Sequence, residues 1–568
     1  MKKLVKIAGL GALVLALLAG GLLLWAYKPV PTFGPPEHSA AAPDYWPTTG
    51  WRSATPEQQG MDSERLLAML EAYETEAVEN PELYIDSMTV IRDGYVVADI
   101  YPNPRFPRGE MHVIHSVTKS VVSALVGIAI EEGFLSGTDA LVVEFFPDRT
   151  FANLDDRKRA LTVADLLSME TGLHSRDSYL YAHEGLFAIQ HSDDWLQFAL
   201  DLPMTAEPGE RFDYSNISTF LLAAILERST GEDPLSFAKT HLFGPLGIDT
   251  VQWEWNSEGI PIAWARMWLT PQDMAKLGLL YLQHGRWDGE QVLPEAWVRE
   301  SLTPHAYPQN VVYLLNEDMS VNDEASDQNW IAQRFFRPFA DGYGYQWWLD
   351  REGPFTALGT GGQYIAVAPE ENIVFVVTSK SRGLAQFFPA TLFFDHVLKA
   401  VRSDAPLPPN ASASDELARR SGPPPVPEEA RTTTTLPATA ARVSGVTYAL
   451  ESNPFNTNNL RFVFEPGASH AELSYTARES WVVDFRVGLD GVRRDTQTPI
   501  STFSAVGEWT GPNTFLLTNE IIGYSTFDTW EFSFVEDRVQ VTERSISGDY
   551  VYEGQANPAP AASPPVTP

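Results

Sequence analysis

The residues whose types and spacing are best suited to chemistry are Ser116 and Lys119, at the start of an apolar stretch that ends at Gly133. In a helix, residues three positions apart lie on one face, so the hydroxyl and the amine would be neighbours. The positive end of the helix dipole favours an ionised serine oxygen and a neutral lysine. Such a pair can make a serine nucleophilic without a histidine. A solvated helix start is the ordinary alternative, so the prediction depends on partner motifs further along the chain.

One partner motif is Tyr214-Ser-Asn216, which directly precedes a second apolar, helical stretch. In an extended loop, side chains two residues apart point the same way. The positive charge of a nearby lysine lowers the pKa of a tyrosine, which can then act as a general base. An asparagine amide can bind both a lysine and a substrate carbonyl. These properties make Tyr214 and Asn216 candidate members of the same site.

In this order, the two motifs resemble those of the serine β-lactamase and penicillin-binding protein superfamily. They are most similar to the class C β-lactamase-like esterases and the 6-aminohexanoate-dimer hydrolases. Further stretches that carry the resemblance are residues 53–62, 161–173, 269–278 and 342–348. The likeness covers about residues 46–402. Strand patterns before and after a mainly helical block at about residues 161–305 predict an α+β fold, in which an antiparallel sheet is flanked by helices.

The third motif departs from the β-lactamase pattern. Those enzymes carry Lys-Thr-Gly on the strand that lines the site, whereas residues 357–364 read Ala-Leu-Gly-Thr-Gly-Gly-Gln-Tyr. We expect backbone N–H groups of Thr360, Gly361 and Gly362 to form an oxyanion hole together with that of Ser116. Loss of the lysine removes a charge-assisted contact to a substrate carboxylate, an effect of roughly ten- to a hundredfold. The sequence therefore favours an ester or small amide substrate.

The resemblance implies an acyl-enzyme on Ser116. Either Lys119 or Tyr214 would take the serine proton, and the sequence leaves this choice open. Tyr214 would then protonate the leaving group and activate water, while Asn216 would orient Lys119 and the substrate. One alternative is a β-lactamase or D-alanyl-D-alanine carboxypeptidase. Another, of a different class, is a non-catalytic penicillin-recognising or envelope-binding protein.

We predict structural roles for several other polar and aromatic residues. His112 and His115 flank the nucleophile and are interpreted as packing or supporting groups, and Asp165 as a helix cap. The four tryptophans Trp253, Trp255, Trp264 and Trp268 could line an acyl pocket, but such dense aromatics more often pack together. His174, Asp177, His183 and Glu184 fit no familiar metal-ligand spacing. We predict no metal and no cofactor.

The overall composition excludes several functions. The chain of 568 residues has a formal net charge of -34, which argues against nucleic acid as a partner. It contains no cysteine, so disulfides, thiolate metal sites and cysteine catalysis are excluded. Its length exceeds that of one domain.

The N-terminus predicts a location. Lys2, Lys3 and Lys6 precede an uncharged stretch, residues 7–27, whose length matches the ~20 apolar residues of a membrane span. The positive-inside rule then leaves the catalytic part outside the cytoplasm, anchored on the periplasmic or extracellular side. The alternative is a signal that is cleaved, so that the protein is secreted.

Composition and hydrophobic patterns divide the chain further. We predict an anchor or signal at 1–28, a Pro/Ala-rich spacer at 29–45, a hydrolase domain at 46–403, a Pro-rich linker at 404–437, a β-rich domain at 438–556 and a disordered tail at 557–568. The β-rich domain would be a small barrel or sandwich. Within the hydrolase domain, Asp62 would cap a helix, and Asp93-Gly94 would form the turn of a β-hairpin. Strands are predicted at 343–349, 363–368 and 372–379.

Overall fold

The structure is a computed structural model. It describes residues 33–36, 41–177, 184–256, 258–308, 341–426, 435–453, 457–477, 481–498, 501–524, 527–545 and 548–557. The predicted anchor, His183 and nearly all of the predicted tail lie outside these residues.

The larger domain is built on an antiparallel sheet. Its strands and the short strands beside it are β1 (Ile85–Arg92), β2 (Tyr95–Ile100), β3 (His112–Val113), β4 (Gln252–Trp253), β5 (Met267–Leu269), β6 (Arg286–Trp287), β7 (Glu290–Gln291), β8 (Gly342–Tyr343), β9 (Trp348–Leu349), β10 (Phe355–Gly359), β11 (Gln363–Ala368) and β12 (Ile373–Ser379). The main sheet has seven strands in the order β2-β1-β12-β11-β10-β9-β8. Strands β3, β5 and β4 form a small separate sheet.

Helices cover both faces of the main sheet. The helices of the larger domain are α1 (Ser63–Glu79), α2 (Thr118–Glu131), α3 (Asp156–Ala160), α4 (Val163–Ser168), α5 (Glu184–Gln190), α6 (Trp195–Asp201), α7 (Asn216–Thr230), α8 (Pro234–Ala238), α9 (Pro271–Leu282), α10 (Glu295–Ser301), α11 (Phe388–Leu392), α12 (Leu398–Ala400) and α13 (Ala411–Ser421). A further helix, α14 (Ala438–Val443), packs in the core of the C-terminal domain. Along β12, Val374 and Val376 pack into one apolar cluster, while Phe375 and Val377 pack into another. A strand covered on both faces must be apolar throughout, which explains its continuous hydrophobic run.

Helix α2, which carries the Ser-x-x-Lys pair into the core, is buried from Thr118 to Ala129. Its Gly127 lies directly against an aromatic side chain, since a Cβ there would come within 2.2 Å of the Trp297 ring. Helix α7 also packs against α2. The helix is therefore fixed on several sides, as its apolar sequence predicts.

The C-terminal domain is a closed barrel of nine strands. The strands of this domain are β13 (Thr447–Leu450), β14 (Thr457–Val463), β15 (His470–Ala477), β16 (Trp481–Gly488), β17 (Arg494–Gln497), β18 (Thr502–Trp509), β19 (Thr514–Ile521), β20 (Phe527–Val535), β21 (Arg538–Ser545) and β22 (Gly548–Ala556). A pairing of β16 with β18 closes the ring, and β17 extends it at β18. Aromatic side chains such as Phe462, Phe515 and Phe532 fill the interior. The α+β prediction and the barrel alternative for the C-terminal domain are confirmed.

Several local predictions are also confirmed. Asp62 caps α1 by accepting a hydrogen bond from the Glu64 backbone N–H at 3.0 Å. Asp93 and Gly94 form the β1–β2 turn, with φ values of 52° and 81°. Asp165 forms a reciprocal capping box with Thr162 at the start of α4. Each is a short-range device whose residue types specify the local conformation.

One predicted strand is interrupted. Residues 343–349 form parts of two short strands, β8 and β9, rather than one. Between them, Gln346 has a φ of 64°, a left-handed conformation that no strand can contain. The polar contacts of Gln346, described below, compensate for that conformation.

Part of the segment between the domains forms a helix. Residues 411–421, inside the predicted linker, form α13, which packs against α1. Leu417 is buried in the same apolar cluster as Leu70 of α1. This part of the connection therefore lies against the larger domain.

The predicted membrane location is wrong on the evidence of the described residues. Among them, no helix is both long and apolar enough to cross a bilayer. The strongly apolar α2 has 14 residues, which at ~1.5 Å per residue is well short of the ~30 Å hydrocarbon core. Helix α1 is longer, at 17 residues, but carries six acidic or basic side chains. Membrane binding through an N-terminal helix and a membrane-anchored location are therefore not supported.

Candidate active site

Ser116 lies on a strained turn between β3 and α2. Residues His115–Val117 form a single 3₁₀ turn that continues directly into α2. His115 has a φ of 45°, which is uncommon for a residue with a side chain and often marks a functional site. Ser116 is partly exposed, whereas Lys119 is 1% exposed. The turn thus presents the hydroxyl toward solvent above a buried amine.

The Lys119 ammonium nitrogen has three oxygen neighbours, none of which belongs to a carboxylate. Nζ lies 3.0 Å from Ser116 Oγ, 2.7 Å from Asn216 Oδ1 and 2.9 Å from the Trp264 carbonyl oxygen. Burial lowers the pKa of Lys119 to about 7, and the negative charge of Asp177 opposes that shift. Because its neighbours are neutral, the amine can lose its proton near neutral pH.

Tyr214 and Asn216 reach this amine from a helix start rather than from an extended loop. Ser215 is the N-cap of α7, and its side chain accepts the backbone N–H of Ser218. Asn216 is therefore the first helical residue. The ring of Tyr214 lies with its centroid 4.9 Å from Lys119 Nζ and is stacked on Trp348. The four predicted residues thus meet around one nitrogen.

A buried carboxylate holds this arrangement from behind. Asp177 accepts hydrogen bonds from the Ile217 backbone N–H at 2.9 Å and from Ser175 Oγ at 2.7 Å. Its own backbone carbonyl accepts the Asn216 side-chain amide at 3.2 Å. Burial raises the pKa of Asp177, and the hydrogen bonds from Ser175 and Ile217 and the charge of Lys119 counteract this effect. Asp177 therefore orients Asn216 so that its oxygen faces the lysine.

Gln346 connects the helices that carry these groups. Its amide donates to the Leu167 carbonyl at 2.8 Å, and its side-chain oxygen accepts Thr219 Oγ1 at 2.9 Å. Its backbone carbonyl accepts Ser120 Oγ at 2.7 Å. One buried residue thereby joins α2, α4 and α7, which fixes the serine relative to the asparagine.

The glycine-rich turn between β10 and β11 lies against the segment that leads to Ser116. A Cβ on Gly359 would come within 2.4 Å of the Ile114 carbonyl oxygen, so only glycine fits there. Gln363 fastens the turn, since its amide donates to the carbonyls of Thr360 and Ser379. The Gly362 N–H donates to the Gly359 carbonyl at 3.1 Å and closes the turn itself. Gly361 and Gly362 have φ values of 84° and 93°, which side chains rarely adopt.

His112, in contrast, belongs to a buried cluster between the two domains. Its Nε2 lies 3.0 Å from Asp86 Oδ2. The other Asp86 oxygen contacts Lys380 at 3.5 Å, and Lys380 also contacts Glu520 of the barrel. His112, Asp86, Lys380 and Glu520 are all less than 5% exposed. The interpretation of His112 as a supporting group agrees with these contacts.

The tryptophans pack rather than form an open pocket. Trp264 is stacked on Trp195 with centroids 5.6 Å apart, and Trp253 Nε1 donates to the Ile262 carbonyl at 3.2 Å. Trp268 is 2% exposed and is stacked on Tyr524 of the barrel. This region does contribute to the site, but through a backbone atom that the sequence did not predict. The carbonyl oxygen of Trp264 accepts a hydrogen bond from Lys119 Nζ.

Comparisons with known proteins agree with the geometry. Residues 70–397 match the family model described as Beta-lactamase, which is more than half of the chain. The chain belongs to the Beta-lactamase family. It is also 25% identical over 317 residues to the 6-aminohexanoate-dimer hydrolase of Paenarthrobacter ureafaciens, a match that covers 52% of this chain and 73% of the relative.

Two solved structures are also similar. The octameric penicillin-binding protein homologue from Pyrococcus abyssi is 18% identical with a TM-score of 0.43, and the match covers 86% of this chain and 100% of that one. The unliganded simvastatin synthase LovD from Aspergillus terreus is 16% identical with a TM-score of 0.43, covering 59% and 98%.

Three polar residues of the site were not predicted from the sequence. Gln346 and Gln363 had no predicted role, and Asp177 was considered only as one of four residues whose spacing fits no familiar metal site. A glutamine within an apolar aromatic run was a usable signal in 343–349, because a buried amide must be hydrogen-bonded. Asp177 had no local signal, since its partners come from a helix start that is distant in sequence.

Proposed function

We propose that the protein is a serine hydrolase that cleaves carboxylic esters or small amides through an acyl-enzyme on Ser116. The observation that carries the proposal is the 3.0 Å contact between Ser116 Oγ and a buried Lys119 whose pKa is about 7. Similarity to a 6-aminohexanoate-dimer hydrolase supports hydrolysis as the reaction class.

In the acylation step, neutral Lys119 takes the proton of Ser116 as the serine oxygen attacks the substrate carbonyl carbon. The sequence left open whether Lys119 or Tyr214 does this. The geometry favours Lys119, because its nitrogen lies 3.0 Å from the serine oxygen. A general base needs this hydrogen-bond distance.

The tetrahedral oxyanion would be stabilised by the Ser116 N–H together with an N–H of the glycine-rich turn. The Gly362 N–H donates to the Gly359 carbonyl within the turn, so we assign this role to Gly361. The close approach of Gly359 to Ile114 holds this turn beside the nucleophile.

Collapse of the intermediate releases the alcohol or amine, and Tyr214 would supply its proton. Water then attacks the acyl-enzyme, with Tyr214 or Lys119 as base, and regenerates Ser116. Asn216 would hold Lys119 in place and contact the substrate carbonyl. No step requires a metal ion or a cofactor.

The test uses the full chain, a short-chain 4-nitrophenyl ester and the β-lactam nitrocefin. We expect ester turnover, labelling of Ser116 by a fluorophosphonate, and loss of both in Ser116→Ala. The control is Ser236→Ala, because Ser236 is an exposed residue within α8 and its substitution should leave turnover unchanged. Faster turnover of nitrocefin than of the ester would favour a β-lactamase. Lack of both turnover and labelling would favour a binding protein.

A further inference from the structure

The barrel reaches the active site through the turn that follows β19. The Gly523 carbonyl accepts the backbone N–H of Val113, at 2.7 Å, in the strand that leads to Ser116. A Cβ on Gly523 would come within 2.0 Å of the Met111 carbonyl oxygen, so the two backbones are in direct contact. The next residue, Tyr524, therefore has a fixed position beside the nucleophile turn.

Tyr524 contacts both the nucleophile turn and a cation of the larger domain. Its ring lies 6.0 Å from that of His115, the residue before Ser116, and 5.8 Å from that of Trp268. The Arg266 guanidinium lies 5.2 Å from the Tyr524 centroid, and its Nη1 donates to the Tyr524 hydroxyl. His115, Ser116, Arg266 and Tyr524 are all partly exposed. Because Tyr524 contacts both His115 and Arg266, these residues lie next to one another where the protein meets solvent.

Arg266 is held close to the catalytic lysine by the chain itself. The carbonyl of Trp264, two residues earlier, binds Lys119 Nζ at 2.9 Å. Arg266 has a φ of 66°, an unfavourable conformation that the surrounding contacts must compensate. Burial and then the positive charge of Arg266 lower the pKa of His115 well below its usual range. The positive charge of Arg266 therefore acts on the residue directly before Ser116.

The described contacts leave one side of the guanidinium for a ligand. Both the Tyr524 hydroxyl and the Glu254 carboxylate, the latter at 3.9 Å, are approached by Nη1. A guanidinium has five N–H donors in a rigid fork that suits a carboxylate. The Arg266 side chain is 29% exposed. With a net charge of -34, the chain as a whole repels anions. A cation fixed in this place makes the site itself attract an anion.

We propose that Arg266, held by Tyr524 of the barrel, binds a carboxylate of the substrate, so that the preferred substrates are esters or amides with an anionic group remote from the cleaved bond. This inference rests on the proposed function and names its substrate class. The β10–β11 turn lacks the lysine that binds such a group in β-lactamases, and Arg266 supplies the cation from another side of the site.

The test compares substrates that differ only in charge. One pair places the charge on the acyl side, mono(4-nitrophenyl) adipate and its methyl ester. The other pair places it on the leaving group, 3-butanoyloxy-4-nitrobenzoic acid and its methyl ester. For each enzyme form, kcat/KM is normalised to the sites that react with a fluorophosphonate. The readout is kcat/KM for the anionic substrate divided by kcat/KM for its methyl ester. This ratio does not depend on how much enzyme is folded.

We expect at least one pair to show a ratio of roughly ten- to a hundredfold in the wild type, as for a charge-assisted contact. Arg266→Gln should bring this ratio to about one, and Tyr524→Phe should lower it less. Glu254→Gln should raise it, because it removes the competing anion. Arg228→Gln, at an exposed arginine that pairs with Asp148, is the matched control and should not change it.

Turnover with ratios near one for both wild-type pairs, or a ratio that persists in Arg266→Gln, would overturn the inference and leave the proposed function intact. If the wild type shows neither turnover nor fluorophosphonate labelling, the proposed function is overturned, and the inference with it.

Discussion

Lys119 and Lys380 are buried to nearly the same extent, with 1% and 2% exposed, yet their surroundings differ completely. Lys119 faces a hydroxyl, an amide oxygen and a backbone carbonyl. Lys380 faces the carboxylates of Asp86 and Glu520. Burial alone therefore does not give a lysine a chemical role. Neutral acceptors make its proton transferable, whereas carboxylates make its charge part of the structure.

The largest expected effect is the loss of activity in Lys119→Met. We expect kcat/KM for the ester to fall by about 10²–10⁴, the usual contribution of a general base. At pH 6 the same variant should unfold at higher urea concentration than the wild type, because it no longer buries an ammonium among neutral groups. Ester kinetics and urea unfolding of the same samples test both parts. Lower stability together with lost activity would mean that Lys119 is mainly structural.

Lys380→Met should show the opposite pattern. It leaves Asp86 and Glu520 buried without their cation, which should lower the free energy of unfolding by about 3–5 kcal/mol. The activity of each fluorophosphonate-reactive site should change far less than in Lys119→Met. Urea unfolding with active-site titration provides the measurement. The double variant Lys380→Met/Glu520→Gln should recover part of the lost stability, and the absence of any recovery would contradict the ion-pair explanation.

The pH dependence should separate the two lysines further. Acylation needs neutral Lys119, so the single-turnover rate should rise about tenfold per pH unit below pH 7 and level off above it. Between pH 7 and 10.5 the amine is neutral in the fold and charged in the unfolded chain, so protons favour unfolding. Stability relative to Lys119→Met should then increase with pH across this window, by about 1.4 kcal/mol per unit. A flat difference would contradict the lowered pKa.

The smallest effect is expected from Asp177→Asn. The negative charge of Asp177 raises the pKa of Lys119, so its removal should shift the rising limb of the pH–rate profile to lower pH, by up to about one unit. The amide keeps a similar shape and can still accept the Ile217 N–H. The pH–rate profile of an ester checks this, with Asp148→Asn at an exposed ion pair as the control. A shift to higher pH would contradict the electrostatic assignment.

The sequence predicted the parts of the site that depend on local patterns. The types and spacing of Ser116 and Lys119, and of Tyr214 and Asn216, carried that prediction, although the last two stand at a helix start rather than in the expected extended loop. The sequence also predicted the α+β fold, because the amphipathic pattern of α1 and the continuous apolar runs of β11 and β12 are clear. It did not predict Asp177, Gln346 or the Trp264 carbonyl, because these contacts join segments that are distant in sequence. A backbone carbonyl in particular has no signature in residue type.

The contact between Gly523 and Met111 bears on whether the two domains are interchangeable parts. A sequence with a proline-rich connection suggests a hydrolase to which a barrel was added and from which it could be removed. Yet the strand before Ser116 completes its backbone hydrogen bonding with the barrel, at Val113, and the barrel supplies an anion to Lys380. Recombination that exchanged this barrel for another would have to preserve a glycine and a glutamate at matching positions. The two domains are thus expected to be inherited, and engineered, as a single unit.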